Sequence, residues 1–323
     1  MSSAANHLLY ILTDSNLPTG GFIASSGLES YVTHGFLKST EGDARGSKGA
    51  ATTGTTAKAS KSDSIGEWIT RFGTAEMDNY ASTTVPYLND AWTASTSYLA
   101  IDHPSDSDLP TVIDRLETLD NYHEASLLSH VARRASKAQG VAILMLYVRS
   151  FAGQQNQTQR VGPDEGTNAR LADELVAKYK HRIRAGKAPG HLSICFAILC
   201  AALDLTREQC LHLHLYLHAR SVLSSAVRLN QVGPYESTSL LATRFKDLVE
   251  VAMRSHGGAG TGLFRDQEDT STIEGQTMPR KKVQQEFWAW AYDAETFGPA
   301  TTWPLGEILL ARHDLQHTRL FNS

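Results

Sequence analysis

The run Leu211-His212-Leu213-His214-Leu215-Tyr216-Leu217-His218 alternates apolar and polar side chains, which is the period of a half-buried strand. Its surroundings overrule that reading. Thr206-Arg207-Glu208-Gln209, just upstream, is a capping box, in which a Thr hydroxyl and a Gln amide satisfy the free backbone groups of a helix start. Leu211, Leu215, Ala219, Val222, Ala226 and Leu229 lie on one stripe at helical spacing. No turn signal interrupts Thr206 to Asn230, and Gly233-Pro234 supplies the stop. With that segment read as one helix the chain holds no convincing strand, and an all-α fold follows: a single bundle-like domain of about ten helices.

The same period organises the rest of the chain. His7 to Leu12 leads as a helix into Leu17-Pro18-Thr19-Gly20-Gly21, a tight loop where proline fixes φ and the paired glycines allow positive φ. Leu28, Tyr31 and Val32 form a second helix that Ser25 or Ser26 can cap, with Glu29 near its start, where the dipole favours a carboxylate. Ile65, Trp68, Ile69 and Phe72 mark an amphipathic helix, and another is expected over Val85 to Ala94. Asp106 to Pro110 reads as a connection, Val112 to Leu119 as a short helix, and Tyr122 to Phe151 as a long one in which Gly140 suggests a close crossing. A helix over Ala169 to Ala185 follows. Pro189-Gly190-His191 then opens the most apolar helix, Leu192 to Leu203. Phe287 to Tyr292 and Leu305 to Leu310 complete the helical material. The stretches 39–64, 153–168 and 255–282 have little to bury and are expected to be flexible inserts.

A net charge of -4, from 30 basic and 34 acidic residues, gives no electrostatic reason to expect nucleic acid as a partner. The longest apolar stretch is too short for a bilayer and no basic leader precedes the first apolar run, so a cytoplasmic protein without a membrane partner is expected. Cys195, Cys200 and Cys210 share one apolar region without C-x-x-C spacing, which indicates neither a disulfide framework nor a zinc ribbon.

The sequence does not advertise catalysis. Cys210, His214 and His218 stand at i, i+4 and i+8 on a helix face, but no carboxylate completes a ligand set and they are weak metal candidates. His313-Asp314-Leu315-Gln316-His317 imitates the zinc-protease H-E-x-x-H, with Asp for Glu and no evident third ligand. Gly49-x-x-x-x-Gly54 lacks the lysine of a phosphate loop. Arg133, Arg134 and Lys137 read as a solvated basic face, and Arg228 sits in a last helical turn where a cation suits the dipole. Near the end of the sequence, Leu320 and Phe321 need a surface to cover them, for which a partner protein is the simplest source.

Leu17-Pro18-Thr19-Gly20-Gly21-Phe22 with Ser25 and Gly27-Leu28-Glu29 spells L-P-x-G-G-F-x-x-S-x-G-L-E, which resembles the N-terminal signature of the UreF family of urease accessory proteins. Arg319-Leu320-Phe321-Asn322-Ser323 is similar to that family's R-L-F-x-S ending. Weaker likenesses lie at Arg133 to Gly140, at the small-residue turn before Leu192, and at Ser225 to Pro234, where Val232-Gly233-Pro234 departs from the family's Pro-x-Gly-Gln. The resemblance implies an all-helical homodimer that binds the UreD/UreH accessory protein through helices and a C-terminal tail, 313–323, and recruits the GTPase UreG. Nickel, as a transported ion and not a tightly bound cofactor, would then reach apo-urease. It further implies that Arg319, Leu320 and Phe321 dock a partner, that Glu29 and Arg228 influence the fidelity of activation, and that Pro18, Gly20, Gly21 and Gly27 are structural. Two other classes remain: a GTPase-activating regulator using Arg228 or Arg319 as a finger residue, and a metal-dependent hydrolase built on the histidines.

Overall fold

The computed structural model describes residues 3–15, 17, 21, 24–36, 61–153, 165–264 and 298–321. Pro18, Gly20 and the Phe287 to Tyr292 segment lie outside them. The helices are α1 (Ser3–Leu12), α2 (Leu28–Thr33), α3 (Lys61–Leu99), α4 (Asp108–Ser126), α5 (His130–Ser150), α6 (Glu165–Arg184), α7 (Leu192–Ala202), α8 (Arg207–Arg228), α9 (Pro234–Ala242), α10 (Arg244–His256) and α11 (Pro304–Arg312). No strand occurs among the described residues, so the all-α class expected from the sequence is observed.

Helix α7 is apolar on every side, and a helix of that kind must be surrounded. Every residue from Ser193 to Ala202 is buried, and α3, α4, α5, α6 and α8 all pack against this central rod. The capping box at Thr206 is formed in both directions, and α8 runs unbroken from Arg207 to Arg228, so helical spacing wins over the alternation. Its end differs from expectation. Asn230 adopts a left-handed φ of 54°, and Gln231 N–H donates to the Ala226 carbonyl at 3.0 Å, so the helix closes three residues before Gly233. Gly233-Pro234 begins α9 instead, with proline at its first position.

Three other boundaries differ. Helix α4 starts at Asp108, inside the expected Asp106 to Pro110 connection, and runs past Leu119 to Ser126. The two helices expected between Ile65 and Ala94 are one helix of 39 residues, α3, with Pro86 in its interior. Proline costs about 3 kcal/mol there, but Val85, Tyr87, Leu88 and Ala91 are all buried around it, and that packing keeps the helix continuous. Conversely, the long helix expected from Tyr122 to Phe151 is broken. Leu127 turns extended, and Ser129 caps α5 by accepting from the Ala132 N–H at 3.4 Å. Helix α2 is capped by neither serine; Gly27 holds the N-cap with a φ of 80°.

Helix α3 also anchors both flanks of residues 265–297. Asn89 Nδ2 donates to the carbonyls of Gly257 and Ala259, at 3.1 and 2.9 Å, and Asp90 Oδ2 accepts from Thr261 N–H at 2.9 Å. Further along, Asn79 Oδ1 accepts from Thr302 and Trp303 N–H at 2.9 and 3.2 Å. Helices α3 and α6 begin at Lys61 and Glu165, before the stretches 39–64 and 153–168 end.

Candidate functional site

The segment after α11 folds back onto the N-terminal motif, and the contact centres on one carboxylate. Glu29, in the first turn of α2, is 4% exposed. Its Oε1 accepts from Leu320 N–H at 2.6 Å and its Oε2 from Phe321 N–H at 3.2 Å. Nε2 of His313 lies 3.0 Å from the same Oε2. Three donors on one buried carboxyl fix the course of the chain from 313 to 321, because a main-chain N–H withdrawn from water must find an acceptor. Gln316 adds a bond to Ser30 Oγ at 2.7 Å.

Phe321 is 3% exposed and lies beneath Arg228, whose guanidinium carbon is 4.4 Å from the ring centroid. The last turn of α8 therefore meets the chain's C-terminal segment, a cation–π contact that the dipole argument did not foresee. Of the two apolar side chains expected to face a partner, Phe321 is covered by its own chain. Leu320 remains 60% exposed. Gly21, within the signature loop, accepts from Ser221 Oγ at 3.1 Å, and a methyl group on Gly27 would meet Leu310 of α11 at 3.4 Å.

Asp314 forms a second node beside Glu29. Arg134 of α5 bonds it through both guanidinium nitrogens at 3.0 Å, Arg319 Nη1 approaches to 2.7 Å and His130 Nε2 to 3.1 Å. The Arg134 guanidinium holds the Asp314 carboxyl well below the usual carboxylate range. The zinc-protease likeness of this segment is thereby dissolved. His313 faces Glu29 from a short 3-10 turn, and His317 lies beyond that turn, so no helix face carries the two imidazoles together. The expected solvated basic face is likewise tied down: Arg134 to Asp314, and Lys137 to Glu124 at 3.1 Å.

Beneath α5, Asp120 receives Gly190 N–H, His191 N–H and the Tyr179 hydroxyl at 2.6, 3.0 and 2.6 Å. His191 is held on both sides, by Ser136 Oγ at 3.1 Å and Glu124 Oε2 at 2.7 Å. This clamp holds the backbone of Gly190 and His191 against Gly140, so the close approach expected at that glycine is made by the turn ahead of α7.

The weak metal candidates of α8 point into the interior. His218 lies flat on Tyr80 with ring centroids 3.5 Å apart and Nε2 3.3 Å from Glu76 Oε1. His214 bonds Thr84 Oγ1 at 3.3 Å, and Cys210 is buried near Cys200. Among the described residues no group of three or more His, Cys, Asp or Glu side chains could hold a metal ion. The histidines do border a cavity of about 300 Å³, together with Glu76 and His123. Burial pushes Glu76 up to about 8 and both histidines down to about 3, so acid and imidazoles are neutral together.

This has a measurable sign. A carboxyl raised on folding stabilises at low pH, and its contribution fades as pH rises towards 8; buried neutral histidines act oppositely, and only below about 6.5. Between those values the Glu76 slope stands apart from that of the histidines. Glu76→Gln is expected to remove a decline of up to about 1.4 kcal/mol per pH unit. Urea unfolding of wild type and variant at the two ends of that window measures it, and parallel slopes would show that the carboxyl is ionised in the fold.

No described helix is long and apolar enough to cross a membrane. The model of the UreF family matches residues 62–244. The chain is similar to "Urease accessory protein 6" of Cryptococcus neoformans var. grubii, with 42% identity covering 98% of this chain and 96% of the relative. It is also similar to an "Uncharacterized urease accessory protein UreF-like" of Schizosaccharomyces pombe, at 23% identity over 100% and 99% of the two chains. "Urease accessory protein F" of Arabidopsis thaliana shares 26% identity over 69% of this chain and 68% of its own. The N-terminal motif, the C-terminal segment and the helical body joining them thus agree with one assignment: the chain belongs to the UreF family of urease accessory proteins.

Proposed function

We propose that this protein is a cytoplasmic adaptor of urease maturation, which joins a UreD/UreH-type accessory protein to a UreG-type GTPase so that nickel passes to apo-urease. It works as a homodimer, and GTP hydrolysis belongs to the GTPase. The observation that supports this most is the presentation of Leu320: its N–H is locked to Glu29 while its side chain stays 60% exposed. A large apolar side chain held outwards on a rigid backbone is what a docking anchor requires.

Because His313 and Phe321 are buried, deleting 313–323 would also strip interior contacts. Side-chain variants give the cleaner test. Leu320→Asp, and more mildly Arg319→Ala, are expected to weaken association with a co-expressed UreD/UreH-type protein about tenfold or more on size-exclusion chromatography, at unchanged helicity. Undiminished co-elution of both variants would remove the docking role.

The GTPase-activating reading keeps one candidate. Arg228 is engaged by Phe321, whereas Arg319 is 40% exposed on its side chain. If Arg319→Ala slows GTP hydrolysis by the assembled GTPase without loosening the complex, Arg319 acts as a finger and not as an anchor.

A further inference from the structure

The docking face implied by Leu320 does not end with the C-terminal segment. Asp314 ties that segment to the start of α5, and three of the four residues at the node, Asp314, Arg319 and His130, have an exposed leucine within two positions in sequence. Leu315, 73% exposed, adjoins Asp314 itself; Leu320 adjoins Arg319; and Leu128, 65% exposed, precedes His130 by two positions at the break between α4 and α5. The break that interrupts the expected long helix is what turns Leu128 outwards. Its carbonyl accepts from Arg133 Nη2 at 3.3 Å, which braces the corner.

At the centre, Arg319 gives one nitrogen to Asp314. A guanidinium has five N–H groups in a planar fork, so most of the Arg319 donors are available to a second acceptor. Asp314 is already shared among Arg134, His130 and Arg319, and Arg134 with Arg319, Asp314 and Phe321 lines an open concavity on this surface.

Resting on the adaptor reading above, we infer that the α4–α5 corner is the second half of the docking face. It receives a partner-protein segment in which a carboxylate takes the open edge of Arg319 while apolar side chains cover Leu128, Leu315 and Leu320. Charge complementarity selects an acidic segment over a basic one, because cationic groups surround a single carboxylate here. The apolar rim excludes water from the ion pair and so strengthens it.

The test measures affinity of the full-length chain for a UreD/UreH-type protein with Leu128→Asp, Leu315→Asp and Leu320→Asp, each at low and high salt. All three leucines are exposed, and unchanged circular dichroism establishes that each variant folds. The inference expects losses of about tenfold or more for Leu128→Asp as well as for Leu320→Asp, Leu128→Met close to wild type, and weaker wild-type binding at high salt. Loss with Leu320→Asp but wild-type affinity for both Leu128→Asp and Leu315→Asp overturns the inference and leaves the adaptor reading standing. Wild-type affinity for all three overturns both. Binding that holds or tightens at high salt overturns the acidic character assigned to the partner.

Discussion

Glu29→Ala is expected to release residues 313–321 from α2 while the helical body stays folded. The substitution deletes both acceptor oxygens that receive Leu320 N–H, Phe321 N–H and the His313 ring. Buried donors left without partners cost roughly 1–3 kcal/mol each, which exceeds what one aromatic side chain beneath Arg228 contributes. Hydrogen exchange reads the result directly: the amides of Leu320 and Phe321 should lose protection by about a hundredfold or more, and those of α7 should keep theirs. On the adaptor reading proposed above, association with a UreD/UreH-type protein should fall with the amide protection, because Leu320 would lose its fixed backbone. If both amides stay protected in the variant, Glu29 is not what holds the segment.

Gly140→Ala is expected to damage the body itself. A methyl group there would stand 2.2 Å from the Gly190 carbonyl oxygen and 2.8 Å from the His191 carbonyl carbon. Both are backbone atoms, and the loop that carries them cannot withdraw, because Asp120 grips its two N–H groups and Ser136 and Glu124 hold the His191 ring. Relief must come from separating α5 from the buried α7, so a loss of about 3 kcal/mol or more is expected, lowering Tm by roughly 6–12 °C. Gly233→Ala is the control: nothing lies within 4 Å of its added carbon, and a stability near wild type is expected. Equal melting temperatures for the two variants would show that the crossing at Gly140 is looser than the geometry states.

Local signals served best where one physical preference acted alone. The capping box of α8 and the unbroken apolarity of α7 were readable because no tertiary contact opposes them. The two helices expected between Ile65 and Ala94 are one, because the packing around Pro86 outweighs that residue's local cost. The break at Leu127 was missed for the reverse reason: Ser126 and Ser129 look unremarkable in sequence, yet Ser129 takes up a free N–H of α5 and Ser126 turns its hydroxyl to the His123 carbonyl at 3.0 Å. At the site, resemblance singled out Glu29, Arg228 and Phe321 but gave no hint that the first two meet the third. That convergence spans nearly the whole chain, and no spacing rule reaches so far. Asp314 was legible only as part of a protease imitation, since two of its three partners, Arg134 and His130, lie at sequence separations of 180 and 184.

The anchoring of both flanks of residues 265–297 on α3 has a consequence for what this scaffold can carry. A methyl group on Gly298 would stand 3.6 Å from the Thr261 carbonyl oxygen, so the chain departs and returns at neighbouring points. For a detour with its two ends side by side, each doubling of length costs only about 0.6 kcal/mol in closure entropy. Among the described residues, both ends of this stretch are held on α3, at Asp90 and at Asn79, whatever length of chain joins them. The position is therefore a natural socket, where a fluorescent reporter or an affinity handle could be spliced in without disturbing the registry of any described helix.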